Sequence, residues 1–291
     1  MNSWIARFAL VPAAIVAFGV YVGCLLWTIL LSFTSSKLLP SYKWVGLKQY
    51  FELMDSSRWN TSVHNIIIFG FWYIGLCLVI GYVLAVLIDQ RVRGEALLRT
   101  IYLSPHAMSL IVTGLVWAWF LNPNMGLQAF VRSTGWESFS FAWLASPTLA
   151  IYAVVIAAVW RGAGLVMILM LAGLRGVDQE MLKSLEVDGV PKWRVYAQVV
   201  PPILVPMIIT SVVLLTAGVI NSYDLIVAMT RGGPGIATEV PGKFVMEHFF
   251  ARADVGVATA GAAVMLGSLI LIAGPLLLFR RLINRRREGA A

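Results

Sequence analysis

Residues 172–206 read Ala172-Gly-Leu-Arg-Gly-Val-Asp-Gln-Glu-Met-Leu-Lys-Ser-Leu-Glu-Val-Asp-Gly-Val-Pro-Lys-Trp-Arg-Val-Tyr-Ala-Gln-Val-Val-Pro-Pro-Ile-Leu-Val-Pro206, a polar stretch between two apolar ones. Asp178 is placed to cap a helix, and Glu180 sits in the first turn, where an acid suits the helix dipole. Met181, Leu182 and Leu185 then share one face. Gly189 can close that helix after Asp188. Pro191 fits the first position of a second helix, because its missing N–H has no intrahelical partner to lose there. Trp193, Tyr196 and Val200 recur at helical spacing until Pro201-Pro202 ends the run. The spacing predicts an amphipathic elbow over about 174–202. It is either a docking surface for another protein or a solvated interfacial loop, since amphipathic surface helices are common beside membranes.

The rest of the chain sets the solvent. Apolar residues make up 59% of the 291 and charged residues 12%, and mean hydropathy is +0.83, far from a water-soluble domain. Runs free of Asp, Glu, Lys and Arg cover 8–36, 59–88, 100–131, 195–223 and 255–279, each longer than the roughly 20 residues that cross a bilayer. A further apolar stretch at 148–174 is broken only by Arg161. Backbone groups in hydrocarbon must pair within their own segment, and the short alternating strands of an outer-membrane barrel are missing. The expectation is an all-α integral membrane protein, one domain over 1–291, with six spans at about 8–33, 64–88, 100–121, 148–173, 203–228 and 255–279.

Six spans put both tails on one side. That side collects Arg7, Arg91, Arg93, Arg99, Arg175, Lys183, Lys192, Arg194, Arg280, Arg281, Arg285, Arg286 and Arg287, thirteen cations against eight in the other loops. The positive-inside rule makes it cytoplasmic, elbow included. The net charge of +8 is then a topology signal and an attraction to anionic lipid heads rather than a nucleic-acid signal. The first span is too long for a signal core and lacks a following cleavage site, so it reads as a retained anchor. Cys24 and Cys77 fall inside spans, where packing explains them.

Several chemistries are excluded. No Gly-x-x-x-x-Gly-Lys-[Ser/Thr] is present, and Gly242-Lys243 is followed by Phe244, so this chain has no phosphate cradle of its own. His64, His106 and His248 have no ligand-like spacing, and neither Gly-x-Ser-x-Gly nor His-Glu-x-x-His occurs, which leaves no metal site or hydrolase centre.

The chain resembles the permease subunits of bacterial binding-protein-dependent ABC sugar importers, the maltose-type membrane subunits. The likeness is carried by Trp44-Val-Gly-Leu-Lys-Gln-Tyr50, by Arg99-Thr-Ile-Tyr-Leu-Ser-Pro105 with Trp117, Asn122-Pro123 and Gly126, by Trp160-Arg161 and Leu171-Ala-Gly-Leu174, and by Thr230-Arg-Gly-Gly-Pro234 with Ala237-Thr238. The elbow is similar to the family's Glu-Ala-Ala loop: Asp188-Gly189 and Pro201 fit, while Lys183-Ser184-Leu185 stands where Glu-Ala-Ala is expected. The family's acid there pairs with the ATPase. Glu186, three residues on from Lys183, could supply a displaced acid, or the second permease of a heterodimer carries the standard loop.

What the resemblance implies is alternating access. A solute-binding protein delivers a sugar to two permeases, and two ATPase subunits, which hold the ATP and Mg, drive them through the elbows. This chain would perform no covalent chemistry and carry no cofactor of its own. Its ATPase contacts would be Met181, Leu182, Lys183, Leu185, Glu186, Asp188 and Gly189. Its binding-protein contact would be Gly232-Gly233-Pro234, otherwise simply a tight external turn.

An ionisable residue at mid-span costs roughly 2.5–3.5 kcal/mol and should face a cavity or a partner. Arg161 lies near the middle of 148–173; it either touches solute, with Gly162 and Leu165 on the same stretch, or pairs with Asp224 or with the second permease. On the fifth span Gly218, Asn221, Ser222 and Leu225 share a face with Tyr223 and Asp224 beside it, offering amide and hydroxyl partners for a polyol or serving as interhelical glue. Trp117, Trp119, Trp136 and Trp143 fit an interfacial belt. An ABC permease for another small polar solute, such as a phosphorylated polyol or a polyamine, is the alternative. A secondary transporter fits less well, because Asp224 is the sole acid near a span and no repeat is visible. A scaffold without transport would leave the polar faces unexplained.

Overall fold

The computed structural model describes residues 3–90 and 92–288. In chain order the helices are α1 (Ser3–Ser32), α2 (Lys48–Asp55), α3 (Ser57–Asp89), α4 (Glu95–Ala107), α5 (Leu110–Phe120), α6 (Leu127–Ser133), α7 (Ala150–Leu174), α8 (Gln179–Val187), α9 (Lys192–Arg194), α10 (Val200–Ile203), α11 (Val205–Ile220), α12 (Tyr223–Thr230), α13 (Pro241–Phe250) and α14 (Val255–Glu288). The only strand-like pairing among the described residues is a single bridge between Thr34 and Trp44. Ala14–Ser32, Ser57–Asp89, Ala150–Leu174 and Val255–Ile272 are each long and apolar enough to cross a membrane. Two bent pairs, α4 with α5 at 98° and Lys192–Ile203 with α11 at 71°, raise the candidate spans to six.

The bent pairs correct the expectation of continuous helices. Over 100–121 the helix stops at Ala107, because Pro105 has no N–H to donate and Met108 and Ser109 are extended (φ/ψ −72/147° and −65/152°). Ser109 starts α5 by accepting the Val112 N–H at its Oγ, 3.2 Å away. The second bend falls at Leu204, at the start of 203–228, between α10 and α11, and the stretch is interrupted again at Asn221-Ser222, between α11 and α12. Pro201-Pro202 do not end the second arm of the elbow. They lie inside the continuous run Lys192–Ile203, where Pro201 has no N–H to offer the carbonyls of the preceding turn. Arg91 and the extreme tails, parts of the orientation argument, lie outside the described residues.

Packing groups the chain into two compact units. The first takes the segment ending at Asn60 together with Pro241–Ser268. Here Arg58 grips the Glu247 carboxylate with both of its terminal nitrogens, and Lys243 Nζ reaches Glu247 Oε2 at 3.0 Å. Beneath them Trp59 packs edge-on against Phe244, with centroids 5.2 Å apart. Gly256 N–H donates to the Ser36 carbonyl at 2.8 Å, and Gln49 Nε2 to the Thr34 carbonyl at 3.1 Å.

The second unit takes Thr61–Val240 with the segment from Leu269 onward. Its centre is α7, where Ala153, Val154, Ala157, Val166 and Met167 are completely buried. Backbones approach closely through small residues, the usual source of helix association where lipid is as apolar as the side chains. Gly164 lies against the Tyr102 carbonyl of α4, and Gly114 of α5 lies against Ala228 of α12.

Candidate functional site: an elbow and a polar cleft

The first arm of the elbow is built as its residues dictate. Asp178 Oδ1 accepts the Glu180 N–H at 2.8 Å and caps α8. At the far end Gly189 takes φ 72°, and Val190 N–H returns to the Leu185 carbonyl at 3.0 Å, reversing the chain as a glycine-terminated helix does. The apolar face differs from expectation in its direction. Leu182, Leu185 and Val190 pack against the protein's own core, and Met181 is half-buried. The apolar groups that the elbow turns outward are Val187, 87% exposed, and Trp193, 64% exposed. Lys183, Asp188 and Gly189 are exposed beside them. Glu186 faces Lys192 Nζ at 3.7 Å, an exposed pair worth about 0–1 kcal/mol, so this acid already has a cation on its own chain.

The second arm is irregular. Val195–Val199 forms a π-turn, and Tyr82 donates its hydroxyl to the Tyr196 carbonyl at 2.5 Å. Gln90 Nε2 donates to the Tyr196 hydroxyl at 3.0 Å. A cavity of about 420 Å³ opens between the arms, lined among others by Asp89, Leu182, Lys183 and Tyr196.

A second cavity, of about 230 Å³, lies between α3, α5, α7, α11 and α12. It gathers Arg161, Gly218, Asn221, Ser222 and Leu225, together with Tyr73, which the sequence reading did not select. Arg161 Nε donates to the Met108 carbonyl at 3.2 Å, at the break between α4 and α5. Ser222 is 2% exposed, and its Oγ has no hydrogen-bond partner among the described residues. Four expected members lie elsewhere. Gly162 sits against Tyr73 and Cys77, so close that a Cβ would come within 2.8–2.9 Å of them. Leu165, Tyr223 and Asp224 are not part of the lining. Asp224 is exposed, and no ion pair joins it to Arg161 among the described residues.

The Gly232-Gly233-Pro234 turn is tied internally. Thr230 and Thr238 share a 2.6 Å hydroxyl contact, Thr238 Oγ1 donates to the Gly233 carbonyl at 2.9 Å, and the Gly233–Pro234 peptide is cis. Gly232 is buried, while Arg231, Gly235 and Ile236 form the exposed rim. Trp119 and Trp136 are exposed. Trp117 instead packs against Trp160, with centroids 5.9 Å apart.

Apolar helices of membrane-crossing length, a capped polar elbow and a polar cleft among helices define a membrane transport subunit. More particularly, the chain belongs to the family described as the binding-protein-dependent transport system inner membrane component, whose model matches residues 77–288. It is 33% identical to a Pyrococcus horikoshii protein described as a probable ABC transporter permease, over 92% of each chain. It is 26% identical to the xylose/arabinose import permease of Haloferax volcanii, over 93% of this chain and 86% of that one. Its fold is similar to a chain of a bacterial alginate ABC transporter solved with an alginate-bound periplasmic protein. That match has a TM-score of 0.79 and 19% identity, covering 97% of this chain and 94% of that one.

Proposed function

We propose that this chain is the permease subunit of an ABC sugar importer. It forms half of a translocation pathway and receives ATP-driven motion from a separate ATPase through the elbow. Membership of the binding-protein-dependent family and the sugar importers among its relatives support the sugar assignment. The single observation that carries the coupling role is the elbow itself: a capped helix and a glycine reversal, with Val187 and Trp193 turned outward. Apolar groups held exposed on a folded polar loop are the anchors that a protein groove takes up. The partners proposed are a second permease, two subunits that hold ATP and Mg, an extracytoplasmic solute-binding protein that meets the rim at Arg231, Gly235 and Ile236, and lipid around the spans. Both termini and the elbow would face the cytoplasm. A cavity of about 230 Å³ is smaller than the roughly 300–1,000 Å³ of a complete ligand site, which fits one wall of a pathway whose other wall is the second permease.

The test is co-purification of the assembled importer. Replacing Val187 and Trp193 together by Ala should release the ATPase subunit, with a loss of retention of about 30-fold if the pair behaves as an interface anchor, while membrane insertion is unchanged. Undiminished retention, or solute uptake by the chain purified alone, refutes the proposal.

A further inference from the structure

We infer that Tyr82 and Gln90 are positioning residues for coupling: they latch the second arm of the elbow to α3 through Tyr196, so that motion of the elbow is passed into a membrane-crossing helix rather than absorbed in the loop. The inference rests on the coupling role proposed above.

The chemistry begins with an orphaned carbonyl. In the π-turn the Val200 N–H goes to the Val195 carbonyl, five residues back instead of four. The Tyr196 carbonyl thereby loses the Val200 N–H, its ordinary partner. The donor one position further along would be residue 201, which is a proline and has no N–H. A carbonyl left unpaired in this way needs a partner from outside its own helix. The Tyr82 hydroxyl supplies it at 2.5 Å.

The other end of the same residue is held as well. The Tyr196 ring carries its hydroxyl to Gln90, whose Nε2 donates at 3.0 Å. Tyr82 lies within α3 and Gln90 just past its last residue, Asp89. Eight residues separate Tyr82 from Gln90 by about 12 Å along α3, and their side chains converge on the carbonyl and the hydroxyl of one residue, so Tyr196 is held at both of its ends. A single hydrogen bond would leave it free to swivel, whereas two fix its direction. Among the described residues the first arm has no comparable tie to the second. Its cross-arm link is the exposed Glu186–Lys192 pair, and the cavity of about 420 Å³ leaves space between α8 and Tyr196. The fixed point of the lever is therefore the π-turn, and α3 is the helix that feels it.

The experiment uses the complete importer, with its ATPase and solute-binding subunits, in lipid nanodiscs. The reading is ATP hydrolysis with the binding protein divided by hydrolysis without it. Tyr82→Phe keeps the ring and removes one hydroxyl-to-carbonyl bond, whose ordinary net strength corresponds to about fivefold in an equilibrium. The ratio should fall by about fivefold with basal hydrolysis and subunit retention unchanged. Gln90→Ala and Tyr196→Phe each remove the second bond and should lower the ratio equally, and the double variant should be no worse than either alone. A ratio in Tyr82→Phe that matches the wild type overturns the latch. Should Tyr82→Phe fail to assemble, the exposed Gln90→Ala decides: an unchanged ratio, or additive losses in the double variant, overturns it. A wild-type importer whose hydrolysis ignores the binding protein instead removes the coupling role on which the latch depends.

Discussion

Replacing Gly164 by alanine should destabilise the protein, although the same change in a helix interior ordinarily gains about 1 kcal/mol. The reason is the crossing of α7 with α4. A Cβ on residue 164 would stand 2.0 Å from the Tyr102 carbonyl oxygen, 2.7 Å from its carbon and 3.2 Å from Leu103 Cα. All three are main-chain atoms, so no side-chain rotation relieves the clash. Recovering van der Waals contact requires the helices to separate by roughly 1–1.5 Å. Overpacking against main-chain atoms sits at the upper end of about 1–3 kcal/mol; less the ordinary gain of about 1 kcal/mol it leaves a net loss of about 2 kcal/mol, a factor of about 30 in the folded-to-unfolded ratio. Gly75 on α3 is the matched control: it is exposed, and a Cβ there meets nothing within 4 Å. Unfolding of the purified chain in mixed micelles, titrated with sodium dodecyl sulfate and followed by circular dichroism, reads both variants. Gly164→Ala should unfold at lower detergent fraction than wild type, and Gly75→Ala at the same or higher. If the two variants shift together, or Gly164→Ala does not shift, the close crossing of α4 and α7 is refuted.

Two further expectations concern charge and an unpaired hydroxyl. Hydrogen bonding by Arg58, reinforced by Lys243, holds the Glu247 carboxyl at about 2, against an ordinary value of 4.5. Its folded-state value is depressed, so its contribution to stability is complete above about pH 4.5 and is lost as pH falls from there through 2. Burial likewise lowers His248 below 6.5, which adds a separate decline that starts as pH falls through 6.5. A melting-temperature profile should show both declines in the wild type and only the His248 one in Glu247→Gln; an unaltered acid limb in that variant refutes the clamp. Ser222→Ala removes a buried hydroxyl that has no partner among the described residues and should leave stability equal or raise it by about 1 kcal/mol, while lowering solute uptake through the cleft. A clear loss of stability would mean that Ser222 bonds something in the folded protein.

Much of the architecture is legible in single residues. Asp178 and Gly189 bound α8 because a capping carboxylate and a left-handed reversal are local properties that need no tertiary information. The grouping of Gly218, Asn221, Ser222 and Leu225 around one cleft also follows from helical periodicity, since Asn221 and Ser222 at the α11–α12 break keep φ/ψ of −82/12° and −70/−7°, close to a helical turn. The direction of Leu185 is not legible. Its amphipathic spacing states that one face of α8 is apolar, but whether that face meets a partner or the protein's own core depends on where the helix is hung. Tyr82 escapes for the opposite reason: a tyrosine in an apolar span carries no local mark, and its role exists only because the π-turn and Pro201 together orphan a carbonyl 114 residues away. Pro105 and Ser109 are the local marks of the break at Met108, but the run free of Asp, Glu, Lys and Arg over 100–121 crosses it without interruption.

The right-angled joint between α4 and α5 has a consequence for the lipid. The two rods have 13 and 11 residues, about 20 and 17 Å at 1.5 Å per residue. Turned by 98°, they reach only about 24 Å end to end, short of the roughly 30 Å of hydrocarbon that a straight rod of the same length would cross with room to spare. A pair of that reach crosses a full bilayer only where the hydrocarbon is thinned or water enters at the joint. The backbone opened at the joint has a partner inside the protein, because Arg161 Nε donates to the Met108 carbonyl at 3.2 Å, so the polar group that a broken rod exposes in hydrocarbon is met by α7.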